Sequence, residues 1–174
     1  MYSHKLVSNP LIYAAEAGLV LLFLMHLGVA TKLNLQNMCA RDQKYAENSS
    51  GDKSTSHVAK GMWAQGVVIL IFIVLHIITF KYGTHYTATY DGVEVRDLFK
   101  LMSEFFQNPI YVAGYIITLI VLGLHLSHGI DSSFKSLGFN HPQYELKVKI
   151  LSHSISFFVA AGFIIQPIYM FLKF

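Results

Sequence analysis

Three histidines stand inside long apolar stretches of this chain: His26 in LVLLFLMHLGVA, His76 in VVILIFIVLHIITF and His125 in YIITLIVLGLHLSHG. An ionisable side chain in such a run is costly in a membrane unless it is paired or ligates something, so each is a candidate functional residue. Neutral imidazole is a good iron ligand, and two histidines at one depth on different helices would clamp a haem. A fourth candidate is Glu16, close to the start of the first apolar run. A carboxylate there can relay protons, although the helix macrodipole also favours an acid in early turns. For any one histidine, an ordinary hydrogen bond to a neighbouring helix is the plainer role.

These residues need elements to hold them, and the composition says which kind. Of 174 residues, 53% are hydrophobic and only 13% charged, with mean hydropathy +0.46. Too few polar side chains are present to cover a soluble globule. The formal charge of +3 comes from lysines and arginines scattered through the chain; they form no stripe or arm, which argues against a nucleic-acid partner. The lone cysteine, Cys39, excludes an intramolecular disulfide and a C-x-x-C-H attachment, so a bound haem would be non-covalent.

Four apolar runs, at about 11–31, 61–80, 109–129 and 150–172, each approach the ~20 residues that cross a ~30 Å hydrocarbon core. The expected fold is therefore all-α, a single transmembrane domain over 1–174 built as an antiparallel bundle of four helices. Between the runs, 32–60 reads as a polar loop and 95–106 as an amphipathic stretch along the interface. The segment 131–149 reads as a loop with Gly138 and Pro142 as helix stops.

Loops 32–60 and 131–149 share one side and carry eight Lys and Arg residues against five on the other side, which makes the first side cytoplasmic. With a 1.5 Å rise per residue, His26 lies ~22 Å and His125 ~24 Å from the outer ends of their helices, while His76 lies only ~8 Å below the outer face. His26 and His125 thus match in depth and can hold one inner haem. His76 belongs to an outer haem whose partner is in none of the four runs. Glu16, ~8 Å deep, and Gln166, ~24 Å along the last helix, share the layer of His76. Both termini would face outward, and the simplest explanation is a further helix before Met1.

Beyond these positions, the run HLSHGIDSSFKSLGFNHPQY (125–144) resembles the signature of the diheme cytochrome b anchors of bacterial succinate dehydrogenases and fumarate reductases. The runs AEAGLVLLFLMHLGVATKLNLQNMCARDQKY (15–45) and KGMWAQGVVILIFIVLHI (60–77) are similar to the same family, so the likeness covers nearly the whole chain in order. The family has five transmembrane helices and four axial histidines. The resemblance matches His26, His76 and His125 to the ligands on its second, third and fourth helices. The family's first helix and its histidine are not found, which puts the outer haem in doubt; Lys60 stands where many relatives have arginine.

The resemblance implies two haem b groups, and His128, one turn beyond His125, would reach a propionate. Arg41, Lys60 and Lys135 would neutralise propionates or dock an iron–sulfur subunit; ordinary positive-inside residues are the equally simple reading. It further implies a multi-pass protein of the bacterial inner membrane, partnered by flavoprotein and iron–sulfur subunits, with complexes able to oligomerise. Electrons would pass to a quinone, menaquinone in diheme members. The sequence has no dinucleotide fingerprint and no cysteine cluster, so it cannot carry out dicarboxylate chemistry alone. The alternatives are a cytochrome b anchor of another membrane oxidoreductase, such as a hydrogenase or formate dehydrogenase, and a non-haem membrane anchor.

Overall fold

The computed structural model describes residues 9–40, 60–90, 92–139 and 141–174. Its described elements are, in order, α1 (Leu11–Cys39), α2 (Met62–Phe80), β1 (Thr87–Tyr90), β2 (Val93–Arg96), α3 (Leu98–Phe105), α4 (Pro109–Ser136) and α5 (Pro142–Lys173). Four of the five helices, α1, α2, α4 and α5, are long and apolar enough to cross a membrane. The fold is an all-α membrane protein with one two-stranded ribbon.

Three of the four spans run past the apolar runs that announce them. At ~1.5 Å per residue, α5 is ~48 Å long and α1 ~44 Å, against a hydrocarbon core of ~30 Å. The surplus turns are polar and lie beyond the reach of a hydropathy reading. In the surplus turns of α4, serine hydroxyls are satisfied by their own helix: Ser133 Oγ donates to the Gly129 carbonyl at 2.8 Å and Ser136 Oγ to that of Ser132 at 2.9 Å.

Gly138 ends α4, as expected. Its φ of 96° is left-handed, and its N–H donates to the Lys135 carbonyl at 3.1 Å, while Phe139 N–H donates to Phe134 O at 3.1 Å. This paired closure, with the Phe134 and Phe139 rings 5.7 Å apart, is a Schellman cap with its apolar clasp. Pro142 is not a stop. It is the first residue of α5, where its missing N–H costs nothing, and His141 caps the helix by accepting from Gln143 N–H at 3.3 Å. The expected loop 131–149 therefore contracts to the few residues between Ser136 and Pro142.

The stretch 95–106 is likewise not one amphipathic element. β2 runs through Arg96 and pairs antiparallel with β1, Tyr90 opposite Val93, with Gly92 at φ 77° in the turn. The helix begins only at Leu98, capped by Asp97, whose carboxylate accepts from Lys100 N–H at 3.0 Å.

The chain divides into two compact units. One comprises 1–55 and 87–96, and so holds α1 and the ribbon; the other comprises 56–86 and 97–174, and so holds α2, α3, α4 and α5. α1 is apolar over most of its length, with leucines, valines and methionines on several faces. In the second unit, α4 packs against α2 on one side and α5 on the other, each pair antiparallel. The α4–α5 contact is close because both faces are small. Ser152, Ser156 and Ala160 recur every four residues on α5, the two serines are almost wholly buried, and Gly123 of α4 meets Ala160. The Ser152 and Ser156 hydroxyls donate to the Val148 and Ser152 carbonyls at 2.8 and 2.6 Å, so both are satisfied inside the contact.

Candidate cofactor-binding site

Pro167 opens the site. It lies inside α5 and cannot donate to the carbonyl of Phe163, one turn earlier, so the helix loses a hydrogen bond there. Both residues line a cavity of about 340 Å³ formed where the C-terminal halves of α2 and α5 meet the N-terminal half of α4. From α2 come Phe72, His76 and Phe80, and from α4 Tyr115, Leu119 and Leu122. α3 closes one end with Leu98 and Met102, and its C-cap Phe106 is buried in a small core with Val112 and Met170. That volume is in the range of small-ligand and cofactor pockets, and an apolar wall with a few polar groups is their usual lining.

Three polar side chains reach this cavity: His76, Tyr115 and Gln166. The layer shared by His76 and Gln166 on the sequence reading is thus one cavity in the structure. His76 Nδ1 is 3.2 Å from the Tyr115 phenol oxygen, across the α2–α4 interface. The imidazole lies between Phe72 and Phe80, one turn to either side on α2, at ring distances of 5.7 and 5.0 Å. Tyr115 is held edge-on by Phe72 at 4.8 Å and Phe106 at 5.0 Å. Tyr115 escaped the sequence reading, although its phenol, six residues into α4, stands ~9 Å from the helix start, near the level of His76.

His125 is at the opposite end of the same helix pair. A Cβ added at Gly66 of α2 would lie 3.7 Å from His125 Cε1, so the imidazole is seated against the α2 backbone. Gly66 and His76 are ten residues apart on α2, and Tyr115 and His125 ten apart on α4. The two imidazoles therefore stand ~15 Å apart in depth, and they do not share a site.

Glu16 and His26 lie on α1, in the other compact unit; Glu16 is half-buried and His26 exposed. His128 is hydrogen-bonded to Ser132 Oγ at 3.2 Å. Lys135 is ion-paired with Asp131, one turn back on α4, at 2.7 Å. Lys60 is exposed just ahead of α2. Arg41 lies outside the described residues.

The cavity residues fit a haem. An imidazole held by a hydrogen bond at one nitrogen is the form in which histidine ligates iron, and phenylalanine and leucine walls suit a macrocycle. Among the lining residues there is one histidine, so this cavity could supply one axial ligand at most. The same set also suits a flat ring bearing carbonyl oxygens, to which Gln166 offers an amide donor. Compared with known proteins, the chain matches no family model, no curated protein and no solved structure.

Proposed function

We propose that this chain is the haem-bearing membrane anchor of a bacterial succinate dehydrogenase or fumarate reductase, exchanging electrons between an iron–sulfur subunit and a membrane quinone, menaquinone in particular. The observation that carries the reading is the pair of imidazoles on antiparallel helices. His76 borders an apolar cavity near one end of the α2–α4 pair, and His125 is seated against α2 ~15 Å away in depth. Two stations at different depths are what a relay across a ~30 Å hydrocarbon core needs.

Bound haem would supply reversible one-electron transfer at each station. His125, with His26 of α1, would hold the inner group, and His76 the outer one. The aromatic residues around His76 keep water from its ring. On the outer side, Glu16 would relay protons to the quinone, and the Gln166 amide would orient a ring carbonyl. On the inner side, Lys60 and Arg41 offer positive charge to the iron–sulfur subunit. Lys135, already neutralised by Asp131, is the weaker docking candidate.

The test is a reduced-minus-oxidised absorption spectrum of the purified complex, with haem counted per chain. Two b-type components are expected, one lost in His26→Ala and in His125→Ala, the other in His76→Ala. A complex with no haem, or one that keeps full haem content in all three variants, overturns the proposal.

A further inference from the structure

His76 carries two ring nitrogens on a largely apolar turn of α2, where Phe72, Ile73, Thr79 and Phe80 are its neighbours three and four residues away. The polar partner comes from α4: the Tyr115 phenol oxygen, 3.2 Å from Nδ1. Phe72 and Phe80 bracket the imidazole along the helix, which limits its rotation. Tyr115 itself is fixed by edge contacts from Phe72, Phe105 and Phe106 at 4.8, 5.7 and 5.0 Å. Two rotors, each locked by aromatic neighbours, thus meet at a single hydrogen bond beside the cavity.

We infer that Tyr115 is the positioning residue of His76: its phenol oxygen accepts the Nδ1 hydrogen and leaves the Nε2 lone pair as the ligating one. This rests on the reading of His76 as a haem ligand. A ligating histidine is oriented, and its tautomer chosen, by the partner of its other nitrogen. Elsewhere that partner is commonly a carboxylate or a backbone carbonyl. In the apolar half of this bundle a tyrosine does it, with no charge to bury. Because the hydrogen bond increases the donor strength of the imidazole, it favours oxidised iron, and its removal raises the midpoint potential.

The experiment uses the purified complex carrying Tyr115→Phe, with His76→Ala for comparison, and reads haem per chain, the midpoint potential of each b-type component and the rate of haem loss. Tyr115→Phe keeps the ring packing and removes only the oxygen. One component should move to higher potential and its haem should be held on the order of 10–100-fold less tightly, while the His26/His125 component stays at its wild-type potential. If assembly is impaired, 3,5-difluorotyrosine at position 115, read at a pH low enough to keep its phenol protonated and so a weaker acceptor, gives a second variant that should shift the same component upward by less. If His76→Ala removes one component but neither variant changes its potential or retention, the role of Tyr115 is overturned and the haem reading stands. If His76→Ala retains both components, the haem reading of His76 falls and the inference with it.

Discussion

Replacing Gly123 with alanine tests the tightest helix contact. A Cβ at position 123 would fall 3.0 Å from the Ala160 Cβ and 3.9 Å from the Ser156 carbonyl oxygen. Carbon atoms rest best at about 3.5–4.0 Å, so α4 and α5 would have to part by roughly 0.5–1 Å. Overpacking of this kind costs about 1–3 kcal/mol, and the better helix propensity of alanine returns about 1 kcal/mol. Gly123→Ala should therefore destabilise the second unit by ~1 kcal/mol, with Gly123→Leu near the upper end of the overpacking range. Ala160→Gly alone should cost about 1 kcal/mol through propensity. In the double variant the small residue has only changed helices, so the clash disappears and the pair should couple favourably by about 1–2 kcal/mol. Thermal unfolding of the four purified proteins in one detergent measures the cycle. Additive effects would mean that Gly123 and Ala160 do not meet, and would refute the packing argument for the whole serine–alanine face of α5.

Three further outcomes are expected. At Gly66 the 3.7 Å clearance to His125 is ordinary contact, so Gly66→Ala should leave the haem spectrum intact, while Gly66→Leu should displace the imidazole and remove the component that depends on His125; equal spectra for both would show that His125 does not work from that seat. Tyr86 donates to Glu104 Oε2 at 2.5 Å, and this hydrogen bond, with smaller contributions from burial and the Glu104 charge, raises its pKa above the ordinary ~10. The stabilisation is therefore complete below pH ~10 and is lost as pH rises through the raised folded-state value; the phenolate absorbance attributable to Tyr86, found by difference from Tyr86→Phe, should appear at lower pH in Glu104→Gln, and an unmoved titration would deny the link. In a Cys39→Ser background, an impermeant thiol reagent applied outside the cell should label cysteine at Thr89 and spare cysteine at Gln143; the reverse pattern would invert the inner and outer assignments.

What the sequence made legible was depth, and what it left hidden was azimuth. Apolar run length and the 1.5 Å rise place His76 and Gln166 in one layer and His125 in another, and in the structure the first two line one cavity while the third is ~15 Å away. The face each residue turns to its neighbours is a different quantity, and a helix apolar on every side carries no pattern that records it. Tyr115 was missed for that reason: it reads as one more aromatic residue in an apolar run until α2 is laid beside α4. Pro142 was misread because a proline after a glycine stop can equally open the next helix, and only the N-cap hydrogen bond of His141 distinguishes the two. The ribbon, by contrast, had a readable signal in Asp91–Gly92 between the alternating segments TATY and VEVR; hydropathy, tuned to spans of ~20 residues, passes over four-residue strands. The same limit bears on the inner pair. Matched depth is all that the sequence offers for pairing His26 with His125, because the residues of α1 are apolar nearly all round and carry no pattern that records azimuth. Gly66, by leaving room for a ring, explains only how His125 is seated against α2 within its own unit. That pairing is therefore a matter for the haem count of the His26→Ala and His125→Ala variants.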